Sequence, residues 1–369
     1  MSTARSRVRA LDALGVSVWL DDLSRDLLES GALERYVAEH ALSGVTSNPT
    51  IFARALRADG RYGERAARLA GAGVRDPRAL FFALALADVH DAAELLHETY
   101  ERTGGRDGYV SFQCTPDVAD DAAATVRQAE DVWHRVDVPN LMIKVPATAA
   151  GIQAIEQLTA EGINVNVTLL FGAERYEQAA RAYRRGIERR ARAGAPVDAV
   201  RSVASVFVSR VDALVAERLG ERAPKGSVAI ASARAIHRRA AAIFAEPDWR
   251  AMAALGASPQ RPLWASTAPK SLAARDVAYV EALALPDTVV TVPEKTLVAF
   301  ADHGVARLIE PDAAADEATL AELTGAGEDL ESIAGELESA GLRAFGAAYA
   351  EVIDSICRYG AAEGRGAAA

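Results

Sequence analysis

Residues Asn140 to Leu158 read NLMIKVPATAAGIQAIEQL, which sets Lys144 between Ile143 and Val145 in a short apolar run bounded by prolines. Lysine is rarely buried without a partner. One reading is structural, an ion pair with a carboxylate such as Asp21. The other is chemical. A free lysine titrates near ~10.4 and is almost wholly protonated at neutral pH. Burial disfavours the ammonium and lowers that value by ~3–5 units in the extreme. Reaching neutrality takes roughly 5 kcal/mol of differential destabilisation at ~1.4 kcal/mol per unit, which a partly dry interior supplies and a solvated surface does not. A neutral amine there forms a Schiff base with a ketone. The iminium withdraws electrons, so a carbon–carbon bond beta to it can break. Aldol cleavage also needs a base for the hydroxyl proton, and Asp21 is the best candidate. A water must form and hydrolyse the imine, and Gln113 with Thr168 is suited to hold it.

Eight segments read as the strands that would position these groups: SVWLDD, GVTSN, YVSFQC, NLMIKVP, INVNVTLLF, SVASVFVSR, PLWAST and TVVTVP. Most are separated by alanine-rich stretches with apolar residues three or four apart, the helical period. In AGIQAIEQLTAEG, Ile152, Ile155 and Leu158 share a face and Gly162 stops the helix. Strands alternating with helices imply parallel pairing, and eight of them suit a closed (β/α)8 TIM barrel.

Side chains alternate along a strand. Val18 and Leu20 oppose Ser17, Trp19 and Asp21; Val110 and Phe112 oppose Ser111 and Gln113. Leu141, Ile143 and Val145 oppose Met142 and Lys144. Ile163, Val165, Val167 and Leu169 oppose Asn164, Asn166 and Thr168, and Thr46 aligns with Asn48. The apolar faces suit helix packing, which leaves a polar interior concentrated late in each strand, the active-site end of such a barrel. Without a Gly/Ser/Pro-rich linker the chain reads as one α/β domain over 11–360, with disordered tails at 1–10 and 361–369. Helical inserts fall at about 53–107, 212–256 and 296–360, the last a C-terminal helical extension packed on the barrel.

The 369 residues, half of them hydrophobic, can bury a large core. A net charge of −10 argues against a nucleic-acid surface. No apolar run is long enough to span a membrane, and the basic N-terminus lacks an apolar signal core. Cys114 and Cys357 stand far apart in no metal-ligand spacing, which suits a reducing cytosol. His90 and His97 lie seven apart in a helical stretch with no third ligand at metal spacing, so they read as surface or packing residues. The arginine-rich RAYRRGIERRARAG reads as a solvated helix face.

On the same segments the chain resembles the transaldolases over nearly its whole length. KVPAT…GI…L…EGI…N…TL is the most specific block, beside GVTSNPTIF, SVASVFVSRVD, PLWAST and PDTVVTVPEKTL, and the likeness is greatest to the longer bacterial form. The resemblance implies a class I aldolase-type barrel with Lys144 as the Schiff-base lysine of the fourth strand and Asp21 as the proton shuttle. It matches Asn48 to the asparagine of the Asn–Pro turn, and Asn166 and Thr168 to the substrate- and water-binding pair. It matches Ser205 and Phe207 to pocket residues, Arg210 to the substrate-phosphate arginine, and Ser266 to the serine of the seventh strand. It implies transfer of a dihydroxyacetone unit from sedoheptulose 7-phosphate or fructose 6-phosphate to an aldose phosphate, in carbohydrate metabolism of the pentose phosphate type. No metal or organic cofactor is needed, and the partners are small sugar phosphates, not nucleic acid or membrane. Homo-oligomerisation is left open.

Two departures matter. Family transaldolases usually carry a glutamate where this chain has Gln113; the related fructose 6-phosphate aldolases have a glutamine in the equivalent role. A glutamine orients water but does not accept its proton at neutral pH. STAPKSLAARD lacks the asparagine–proline that the long form tends to have, which leaves Lys270 as the candidate for a second phosphate contact. Three readings follow: a transferase, a lyase of the same barrel that releases free dihydroxyacetone, and a non-catalytic barrel that binds sugar phosphates. A competing reading pairs Arg210 with Asp212, and Asp22 competes with Asp21, although alternation turns Asp22 away from the interior.

Overall fold

The eight segments read as strands all form strands. In the computed structural model, which describes residues 6–58, 60–270 and 275–366 with side chains through residue 359, they pair in parallel and in chain order into a closed barrel. The strands are β1 (Val16–Leu20), β2 (Gly44–Thr46), β3 (Tyr109–Gln113), β4 (Leu141–Pro146), β5 (Val165–Leu170), β6 (Ser202–Phe207), β7 (Arg261–Ala265) and β8 (Thr288–Val292). Closure is made by β1 on β8, with Val16 opposite Thr288 and Leu20 opposite Val292.

Local chemistry fixes the strand-to-helix turn that carries the lysine. Thr148 caps the helix Ala149–Glu161, its side chain accepting from Gly151 N at 2.9 Å, and Gly162 ends the helix at φ 91°. Gly151 must lack a side chain, since a Cβ there would sit 1.9 Å from Pro146 O. Gly44 has the same role inside the barrel: a Cβ would come within 2.5 Å of the buried Trp19 ring. Small residues are what closely packed interiors require at such points.

The floor of the barrel is a buried polar plug. Arg261 donates to Ser17 Oγ at 2.5 Å, Thr288 O at 2.9 Å, Arg106 O at 3.2 Å, Asp107 Oδ1 at 3.3 Å and Asp287 O at 3.4 Å. Asp107 also accepts from Ser17 Oγ at 2.7 Å and Trp19 Nε1 at 3.1 Å. A buried charge left unpaired is costly, and here every donor of the guanidinium has an acceptor. Asn164, expected among the interior polar residues, braces strand ends: its amide donates to Pro139 O and Leu141 O, both at 3.0 Å, and accepts from Arg201 N at 2.8 Å.

Helices fill the three expected inserts, including Pro77–Arg102 between β2 and β3 and Val228–Ile243 between β6 and β7. The extension ends in one long helix, Leu330–Gly366. It lies across the helix Pro49–Ala58 and the end of β5, where Gly341 leaves room for Leu169, itself at φ 58° beside a register shift between Val167 and Leu170. The tail boundary expected at residue 10 falls inside the helix Arg7–Ala13, whose Val8 is buried because it packs under β1. At the other end the helical backbone continues through Gly366, past the boundary expected at 360, and residues 1–5 and 367–369 lie outside the described residues.

Candidate active site

Period-two alternation delivers Lys144 to the barrel interior near the C-terminal end of β4, where only 3% of it is exposed. Its register neighbours are Gln113 on β3 and Asn166 on β5. Nζ points to Ser47 O at 3.5 Å, and no described carboxylate lies within ion-pair distance. The structural ion pair with Asp21 is therefore not formed. Burial pushes the Lys144 pKa below its ordinary value, and the charge of Asp21 partly opposes that shift from farther off. The combination favours a neutral, nucleophilic amine.

Asp21 follows β1 directly, its N–H bonded to Val292 O at 2.8 Å. Its carboxylate accepts from Thr46 Oγ1 at 2.8 Å, and Thr46 in turn lies 2.8 Å from Thr291 Oγ1. These two threonines hold the acid in place, and neither was singled out as a site residue from sequence. The signal was present in the interior alternation of β2 and β8, but a threonine on a strand is too common to stand out. Asp22 turns outward and pairs with Arg54 at 2.6 Å, as alternation requires.

Asn166 is clamped on both sides: its amide donates to Ser111 Oγ at 3.0 Å and its oxygen accepts from Ser205 Oγ at 2.7 Å. Gln113 Nε2 donates to Lys144 O at 3.1 Å, which fixes the amide orientation, since a flipped oxygen would face a carbonyl. Gln113 Oε1 and Thr168 Oγ1 are then buried without a protein partner. Such atoms cost about 1–3 kcal/mol each unless water or a ligand satisfies them, so both are competent to hold a water or a substrate hydroxyl.

Arg210 sits in the first turn of the helix Ser209–Leu219, its guanidinium 5.7 Å from the centre of the Phe207 ring. Phe207 in turn packs on Phe171 at 5.4 Å. The competing pairing with Asp212 is absent: Asp212 accepts instead from Ser227 Oγ at 2.5 Å, Tyr279 Oη at 2.8 Å and Ala229 N at 2.9 Å. Burial lowers the Arg210 pKa and Asp21 opposes the shift, but a guanidinium stays charged. It is thus a half-buried cation with no described anion beside it, suited to an incoming phosphate.

Ser266, in the left-handed region at φ 55°, is tied to Ser209 by a 3.0 Å hydroxyl contact and by Ser209 N donating to Ser266 O at 3.1 Å, which places it beside Arg210. Asn48 lies past β2, where Oδ1 accepts from Ile51 N at 3.1 Å and caps the next helix, leaving its NH2 for a ligand. Lys270 is the outlier: it is exposed on the loop after β7, and no contact among the described residues ties it to this cluster. His90 and His97 are about half exposed on the helix Pro77–Arg102, apart from the site. Among the described residues no helix is long and apolar enough to cross a membrane.

Comparison with known proteins gives the same direction. Residues 18–356 match the family model of transaldolase/fructose-6-phosphate aldolase. The chain is 43% identical over 356 residues to the transaldolase of Frankia alni, covering 94% of this chain and 96% of that one. It is 44% identical over 355 residues to the transaldolase of Acidothermus cellulolyticus, at 94% and 95% coverage. To the transaldolase of Thiobacillus denitrificans it is 43% identical over 351 residues, at 93% and 97% coverage. With a family model spanning most of its length and relatives this similar from end to end, the chain belongs to the transaldolase/fructose-6-phosphate aldolase family.

Proposed function

We propose that the protein is a transaldolase, moving a dihydroxyacetone unit from a ketose phosphate such as fructose 6-phosphate or sedoheptulose 7-phosphate to an aldose phosphate. The observation that carries this reading is the buried Lys144, with its lowered pKa and with Asp21 as the charge acting on it.

The neutral Lys144 amine adds to the C2 carbonyl, and loss of water gives an iminium. Asp21 takes the proton of the C4 hydroxyl as the C3–C4 bond breaks, its electron pair moving into the iminium to leave an enamine and a free aldehyde. The enamine attacks the carbonyl carbon of the acceptor aldehyde, Asp21 returns the proton to the new hydroxyl, and water hydrolyses the iminium. Gln113 and Thr168 orient that water, while Asn166, Ser205, Asn48 and Phe207 bind the dihydroxyacetone unit. Arg210, supported by Ser266, binds the phosphate. Lys270, exposed on its loop, reaches a second phosphate oxygen only by moving toward the site.

Gln113 supports a second reading, a lyase that releases dihydroxyacetone. Its amide is spent on Lys144 O, and it carries no group that accepts a proton from water. Incubation with fructose 6-phosphate and erythrose 4-phosphate separates the two. A transferase yields sedoheptulose 7-phosphate with no free dihydroxyacetone, whereas a lyase yields dihydroxyacetone whether or not the acceptor is present.

A further inference from the structure

A hollow opens at the end of the barrel opposite Lys144. A cavity of about 690 Å³ opens beneath the N-terminal ends of β4, β6 and β7, between Met142, Arg201, Phe244, Gln260, Arg261 and the Arg106–Asp287 pair. Its size falls within the ~300–1,000 Å³ range typical of small-molecule sites. Arg261 is saturated by the floor plug and serves only as wall.

Arg201 and Gln260 are two of the lining residues with uncommitted groups. Arg201 has no carboxylate partner among the described residues. Its Nη1 donates to the carbonyls of Asp198 and Val200, and its Nη2 to Gly104 O at 3.4 Å. A guanidinium has five N–H donors, so Nε–H and one Nη2–H remain. Gln260 is only 1% exposed; its Nε2 donates to Ser202 Oγ at 2.8 Å, and its Oε1 has no partner. Flipping the amide does not help, because the Ser202 hydroxyl already donates to Val165 O at 2.8 Å. Gln260, whose buried Oε1 has no partner, thus lines the same hollow as Arg201, with Met142 and Phe244 as apolar wall.

We propose that this cavity is a second binding site, separate from the lysine site, for a small hydroxylated anion. The acid group bonds to Arg201, and the Gln260 amide turns toward the hollow so that Oε1 accepts from a hydroxyl of the same molecule. Phosphate and carboxylate both suit a guanidinium edge, so the shared chemistry is an acid group with a neighbouring hydroxyl.

Binding of glycerol 3-phosphate, of glycerate and of glycerol is measured by titration calorimetry on the full chain carrying Arg210→Ala, which removes the phosphate contact of the lysine site. None of these probes has a ketone or aldehyde to condense with Lys144. At least one of the two acids should bind with a stoichiometry of one, and which of them binds identifies the acid group; glycerol should not bind. Adding Arg201→Ala or Gln260→Leu should weaken binding by about tenfold or more. Ala241→Trp, which fills the hollow from its exposed rim, should abolish binding while leaving the thermal melt and the activity of the otherwise native chain unchanged. Absence of binding by both acids, or binding that survives Ala241→Trp, overturns the proposal.

Discussion

Asp21 acts on Lys144 without touching it: no ion-pair contact joins them, yet the charge of Asp21 is what opposes the burial-driven fall in the Lys144 pKa. In the proposed mechanism that separation lets each group do its own work. A tight pair would hold the amine protonated, whereas a distant carboxylate leaves it free to attack and stays available for the substrate hydroxyl.

Lys144→Met should abolish turnover and imine formation while raising stability at neutral pH. Because the folded pKa lies below the ordinary lysine value, the unfolded chain binds a proton that the folded chain lacks in the interval between the two. Native stability therefore rises with pH across that interval, by ~1.4 kcal/mol per unit of depression in total. Denaturant melts of the variant at several pH values should show a higher midpoint near neutrality and a flatter pH dependence.

Asp21→Asn should retain imine formation and lose cleavage. Loss of a positioned proton acceptor costs about 10²–10⁴-fold in turnover. Removing the negative charge also removes the influence that raises the Lys144 pKa, so the acid limb of imine formation should move to lower pH. Borohydride trapping followed across pH measures both effects.

Arg210→Ala should raise KM for phosphorylated donors by about 10–100-fold, the loss of a charge-assisted bond worth ~1.5–3 kcal/mol. Unphosphorylated dihydroxyacetone donors should be nearly unaffected. Steady-state kinetics with matched donor pairs tests this, and an equal loss on both would place the phosphate elsewhere.

Gln113→Glu should supply a proton acceptor on the strand beside Lys144 and speed imine formation and hydrolysis by about tenfold. Single-turnover trapping rates would show it. An unchanged rate would mean that orienting the water is sufficient.

Gly44→Ala should destabilise the barrel by about 1–3 kcal/mol through overpacking, because the new Cβ would meet the Trp19 ring at 2.5 Å. A thermal melt reads this directly.

The barrel was legible because its strands alternate so cleanly: one-residue parity placed Asp21, Lys144, Asn166 and Thr168 inside and Asp22 outside. Arg261 was not legible. Its partners Ser17, Asp107 and Thr288 come from distant parts of the chain, and a strand arginine looks exposed until closure supplies its acceptors. The supports of Asp21 were hidden for a similar reason, since Thr46 meets the acid only when β2 pairs with β1, and Thr291 meets Thr46 only when β8 closes on β1. Lys270 was inferred from a loop sequence alone, and no strand register ties that loop to the site. The helix Arg7–Ala13 was not legible because the basic stretch hides Val8 and Leu11, one helical turn apart and both buried.

The most direct measurement is borohydride reduction of the protein with fructose 6-phosphate, followed by peptide mass mapping. The account predicts a reduced sugar adduct on the peptide containing Lys144 and none in the Lys144→Met variant. An adduct on another lysine, or no adduct from a protein that still turns over the sugar, would contradict it.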